Sequence, residues 1–88
     1  MSSYVEMETK VNAVVNECVE RRYKIQELEE SGLHRLASEL RVNLERLAEH
    51  YQECINKSMV DDDFDPEIFF RDYGNSIIEM ANGMGIKV

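Results

Sequence analysis

The chain has 88 residues, of which 43% are hydrophobic, and its 18 acidic residues outnumber its 10 basic residues to give a net charge of −8. A chain of this length has room for one small core, so we expect residues 1–88 to form a single helical domain. The negative charge argues against direct nucleic-acid binding, which depends on neutralising phosphates. No apolar run approaches the roughly 20 residues of a membrane span, so the sequence predicts a cytoplasmic protein without a membrane segment.

The first predicted helix covers residues 3–30. Its apolar side chains recur at alternating intervals of three and four, which is the spacing of one helix face. The residues of this row are Tyr4, Met7, Val11, Val14, Cys18, Arg21, Ile25 and Leu28. Arg21 is the only charged member, and a buried arginine is costly without a partner. We expect that its head group reaches solvent or, alternatively, pairs with a carboxylate on a facing helix.

A second apolar row lies beside the first on the same helix. Val15, Val19 and Tyr23 recur every four residues, and Arg22 precedes Tyr23. A helix with such a wide apolar surface is expected to touch more than one neighbour. We therefore predict an interface at Val15, Val19, Arg22 and Tyr23, in which Tyr23 is accessible to a partner.

The second predicted helix covers residues 33–58 and has an apolar row of the same spacing. Its members are Leu33, Ala37, Leu40, Leu44, Leu47, Tyr51 and Cys54, with Leu36, Ala48 and Ile55 widening the row on one flank. Only Ser31 and Gly32 separate the two helices. Two helices with matching apolar faces and so short a connection are predicted to form a long antiparallel, coiled-coil-like hairpin.

An acidic linker at residues 59–65 leads to a third, shorter helix. Asp65, Pro66 and Glu67 are typical of a helix start, with Asp as N-cap and Pro in the first turn. We expect this helix to cover residues 66–82 and to be followed by a short tail at 83–88. The predicted acidic partner surface consists of Asp61, Asp62, Asp63, Asp65 and Glu67.

The residue patterns do not favour a catalytic or metal site. Asp61, Asp63 and Asp65 have the spacing of the first ligands of a calcium loop, but Pro66 stands where that loop needs a glycine with positive φ. His50 and Cys54 form one candidate pair of metal ligands. The sequence offers no second pair, which a zinc site or a di-iron centre would need. We therefore predict no enzyme, no cofactor and no metal.

These observations predict an all-α helical bundle, in which a long hairpin and a shorter third helix form a homodimer. Its predicted function is binding to another protein with a basic surface, as a small acidic adaptor, assembly factor or regulator. One alternative is an inhibitor of a host enzyme that mimics nucleic acid through its acidic residues, as phage-encoded inhibitors can do. A second alternative is a histidine phosphotransfer protein that uses His34, in the first turn of the second helix.

Overall fold

A computed structural model describes residues 3–60 and 63–87, and this part of the chain contains helices and no strands. The all-α prediction is confirmed. The helices are α1 (Ser3–Glu30), α2 (His34–Met59), α3 (Pro66–Asp72) and α4 (Gly74–Gly83). None of these described helices is long and apolar enough to cross a membrane.

The turn between α1 and α2 is a Schellman motif. The Leu33 N–H donates to the carbonyl of Leu28 at 2.8 Å, and the Gly32 N–H donates to that of Glu29 at 3.1 Å. Gly32 has a φ of 80°, a left-handed conformation that glycine adopts without a Cβ clash. The motif satisfies the last carbonyls of α1 and allows α2 to begin at His34. We call this end of the molecule the tip.

Residues early in α1 pack beside residues late in α2. Val11 and Val14 belong to the same buried cluster as Leu47 and Cys54. We call this cluster the main core, and its buried members are Val11, Val14, Leu47, Cys54, Phe69, Ile77, Ala81 and Ile86. Nearer the turn, a separate buried cluster that we call the tip core contains only Ile25, Ala37 and Leu44. The end where α1 begins and α2 finishes is called the open end.

The start of α3 uses two capping devices. The Asp65 side chain accepts a hydrogen bond from the Glu67 N–H at 2.9 Å, and Pro66 occupies the first turn. Phe64, just before the cap, packs against Phe69 in the next turn with 5.9 Å between ring centroids. This contact is a hydrophobic staple, which fixes the angle at which the chain enters the helix. It thereby directs Phe69 into the main core.

The predicted single helix over residues 66–82 is two helices in the structure. Tyr73 separates them with a φ of −114° and a ψ of −20°, about 50° from the helical φ. Phe69 before the break and Ile77 after it both enter the main core, where they are 2% and 0% exposed. Gly74, buried against Met7 and Val11 of α1, begins the new helix.

The segment after α4 packs against the core, although the sequence predicts only a tail there. Gly85 has a φ of 84°, and the Ile86 N–H donates to the Ala81 carbonyl at 2.9 Å. This second Schellman motif turns the Ile86 side chain inward, where it is 3% exposed. The chain therefore contributes to its core almost to its last described residue.

Candidate functional site

The first candidate surface is a groove between α1 and α2. Its rim is formed by Val15, Val19 and Arg22 of α1 and by Ala48 and Gln52 of α2. The side chains at its floor are Val14, Cys18, Leu47 and Tyr51. We call this feature the α1–α2 groove, and its volume is about 280 Å³. Most of its rim is apolar, as is typical of surfaces that bind other proteins.

The groove is open because α4 packs on the other flank of α1 and α2. On that flank, Arg21 of α1 contacts the Gly85 carbonyl, and His50 of α2 contacts Ser76 of α4. The predicted interface residues on the groove side keep much of their surface, with exposed fractions of 37% for Val15, 46% for Val19 and 66% for Tyr23. Arg22 is exposed as well. The structure thus brings these four residues to one face of α1.

The flank of α2 formed by Leu36, Ala48 and Ile55 is also partly uncovered. Ala48 is exposed at the groove, and Leu36 near the tip is 52% exposed. Ile55 differs from these two because it is half-buried against the main core. Within this widened apolar row of α2, α3 and α4 therefore cover only the part nearest the open end.

The second candidate surface is at the open end, around the linker between α2 and α3. Four large apolar residues are exposed there: Met59 (62%), Val60 (82%), Phe64 (46%) and Ile68 (41%). Three exposed carboxylates, those of Asp63, Asp65 and Glu67, alternate with them along the chain. We call these seven residues the open-end surface. It combines apolar area with negative charge.

The carboxylates of the open-end surface are not neutralised by described neighbours. Among the residues that the structure describes, no lysine or arginine forms an ion pair with Asp63, Asp65 or Glu67. Asp65 also caps α3, where its side chain accepts a hydrogen bond from the Glu67 N–H. The other two members of the predicted acidic surface, Asp61 and Asp62, lie outside the described residues.

Arg21 combines parts of the two expectations for it. Its guanidinium lies 3.7 Å from the Glu17 carboxylate on its own helix and donates to the Gly85 carbonyl at 3.5 Å. The side chain is 22% exposed, so the head group reaches solvent only in part. The carboxylate therefore comes from α1 itself and not from a facing helix, and the guanidinium links α1 to the segment after α4.

A polar contact that the sequence did not indicate joins α2 to α4. His50 Nε2 lies 2.9 Å from Ser76 Oγ and 3.8 Å from Cys54 Sγ. Burial raises the pKa of the Cys54 thiol, which therefore holds its proton at neutral pH. A protonated, buried thiol is a weak nucleophile, so this arrangement favours a structural role over catalysis. The sequence shows that His50 and Cys54 lie one turn apart on one helix. It does not show that Ser76 of α4 lies beside them, because that depends on the fold.

The remaining candidate residues stay apart from one another. His34 is exposed in the first turn of α2, at the opposite end of the molecule from the acidic surface. Within residues 3–60 and 63–87, no three His, Cys, Asp or Glu side chains are grouped so that they could hold a metal ion. The structure therefore gathers the candidate residues into the α1–α2 groove and the open-end surface.

Comparison of the chain with protein-family models, with curated proteins and with solved structures finds no match in any of the three.

Proposed function

We propose that this protein is a non-enzymatic protein-protein interaction module, which acts as a small acidic adaptor, assembly factor or regulator. The observation that supports this proposal is the open-end surface, where exposed apolar side chains lie among unpaired carboxylates. Such a surface is suited to a partner that presents apolar and basic side chains together. A basic amphipathic helix has this chemistry.

The two components of the open-end surface have different roles in binding. Burial of a Phe64 or Ile68 side chain against a partner contributes about 1.5 to 3 kcal/mol for each residue when it is complete. The carboxylates of Asp63 and Glu67 attract a basic partner and accelerate its association, and they disfavour acidic competitors. Affinity therefore depends on both the apolar side chains and the charges, and selectivity depends on the charges.

We also propose an arrangement of helices and subunits that presents this surface to a partner. The pairing of α1 with α2 is an antiparallel, coiled-coil-like hairpin, which holds the open end away from the tip. The protein acts as a homodimer, so each assembly presents two open-end surfaces. A bivalent arrangement raises avidity for a partner with repeated binding segments.

The test is a titration with a defined probe, a fluorescent amphipathic helical peptide whose polar face is lysine and whose apolar face is leucine. The variant Asp63→Asn, Asp65→Asn, Glu67→Gln removes the three described charges, and Asn at position 65 still caps α3. The matched control Glu45→Gln, Glu49→Gln, Glu53→Gln removes three exposed charges from α2. We expect the dissociation constant to rise about tenfold for the first variant and to change less than about twofold for the control. Equal effects of the two variants would contradict the proposal.

A second variant separates this function from mimicry of nucleic acid. The acidic residues motivate the mimic as an alternative, since a polyanion competes for basic channels through charge alone. The substitution Ile68→Ser removes an exposed apolar side chain without changing the charge. An interaction module loses peptide affinity in this variant, whereas a mimic keeps its affinity and shows a steep dependence on salt.

A further inference from the structure

One row of residues along α1 is complementary to itself. Glu8, Val15 and Arg22 are seven residues apart, so they lie on the same helix face, two turns from one another. Val15 and Arg22 form part of the rim of the α1–α2 groove, and Glu8 continues the row towards the open end. The row therefore has a negative end, an apolar centre and a positive end.

We infer that the α1–α2 groove is occupied by a second copy of this chain, packed with a two-fold axis at Val15. Seven residues of helix span about 10.5 Å, so Glu8 and Arg22 are equally distant from that axis. The axis places Glu8 of one copy opposite Arg22 of the other, and this contact occurs twice. An isologous interface needs such self-complementarity, because every contact between two residues occurs twice, once on each side of the axis.

The opposite wall of the groove permits the close approach that this packing requires. Ala48 of α2 lines the groove together with Val15, and it is exposed. Helices that pack through small side chains approach to about 8 Å. An alanine at the level of the axis lets Val15 and Val19 of the second copy enter the groove.

This inference rests on the homodimer included in the proposed function, and it does not involve the open-end surface. Peptide binding at the open end and self-association through the groove are separate measurements on the same protein. A failure of one leaves the result of the other intact.

The test is a charge-reversal cycle, with the dimer dissociation constant measured by sedimentation equilibrium and helicity checked by circular dichroism. The variants are Arg22→Glu, Glu8→Arg and the double variant that carries both. The controls Arg46→Glu and Glu20→Arg reverse charges at exposed positions that are not part of the groove rim. We expect each single reversal in the row to raise the dissociation constant at least about tenfold. In the double variant we expect the constant to return to within about threefold of the original, because both pairs are restored with opposite sign.

A further variant, Val15→Glu, places two carboxylates at the proposed axis, and we expect it to be a folded monomer. Val15 is already 37% exposed, so the substitution leaves the fold intact. A wild-type chain that is monomeric over the whole concentration range would overturn the inference together with the proposed homodimer. A dimer that is insensitive to Val15→Glu and to the charge reversals would overturn only the groove as its interface.

Discussion

The two ends of this molecule are built on different amounts of core. Towards the open end, α3 and α4 pack on α1 and α2, and the main core has eight buried apolar residues among those that the structure describes. Towards the tip, the described residues place α1 and α2 against each other alone, and the tip core has three buried members there. The open-end part of the two long helices is therefore stabilised by four-helix packing, and the tip part by a single helix pair.

This difference indicates where stability and binding are located. Both candidate surfaces border the main core, because the floor of the α1–α2 groove includes Val14 and Leu47. The same is true at the open-end surface, where Phe64 packs on Phe69. Binding residues are thus held by the better-packed part of the chain, which reduces the entropy lost when a partner docks. The tip adds length and mixed charge to that part.

The largest effect should come from truncation of equivalent leucines in the two cores. Leu47 in the main core is 1% exposed and Leu44 in the tip core is 8% exposed, on the same helix. We expect Leu47→Ala to lower the free energy of unfolding by about 4 kcal/mol and Leu44→Ala by about 2 kcal/mol. Urea denaturation followed by circular dichroism measures both. Equal losses would show that the two cores contribute alike.

A smaller effect is expected at the contact between α4 and α1. A Cβ added at Gly74 would overlap the Cγ and Sδ atoms of Met7, and the nearest Val11 methyl would be 3.6 Å away. We expect Gly74→Ala to lower the free energy of unfolding by about 1 to 3 kcal/mol through overpacking. In a Met7→Ala background the overlap disappears, and the same substitution should be neutral or stabilising by up to about 1 kcal/mol. A loss that is the same in both backgrounds would contradict this contact.

The tip should respond weakly to removal of its ion pair. Arg41 of α2 binds the carboxylate of Glu29 of α1, and the two side chains are 50% and 38% exposed. We expect Arg41→Gln to lower the free energy of unfolding by about 0.5 kcal/mol at low salt and by less at high salt. The measurement is urea denaturation at two salt concentrations. A loss as large as that of Leu44→Ala would mean that charge, and not the tip core, holds this end together.

The smallest effect is the pH dependence that comes from Cys54. Burial raises the pKa of its thiol, so the unfolded chain loses this proton at a lower pH than the folded chain. The contribution of the thiol to stability is therefore complete below about pH 8.5 and is lost as the pH rises through the folded pKa. Comparison of wild type and Cys54→Ala by urea denaturation at about pH 7 and about pH 9.5 measures this loss. We expect wild type to lose more stability than the variant over this interval, and an equal loss would exclude the thiol as its source.

The sequence was sufficient for the long helices because their signal is local. Rows of apolar residues at intervals of three and four, together with Gly32, predict two helices and a turn without reference to the rest of the fold. The prediction that Val15, Val19 and Tyr23 form a separate face has the same basis. These residues are off the main row, and the structure leaves them exposed.

The parts that were not predicted depend on contacts between distant segments. Tyr73 divides the predicted third helix, and Gly74 directly after it is buried against Met7 and Val11 of α1. That contact depends on where α1 lies in the fold. Likewise, Ile86 follows two glycines that suggest a free tail, and its burial depends on the surface left open by α1 and α4. The contact of His50 with Ser76 also requires knowledge of where α4 lies.

The most direct test of the proposed function is hydrogen exchange, measured by mass spectrometry, with and without the basic amphipathic peptide. We expect added protection in the segment that contains Met59, Phe64 and Ile68, and no change at the tip around residues 27–40. Free protein should already exchange faster at the tip than in the main core, which provides an internal reference for the comparison of the two ends. Protection that is absent from the open end, or that is centred on the tip, would contradict the open-end surface as the binding site.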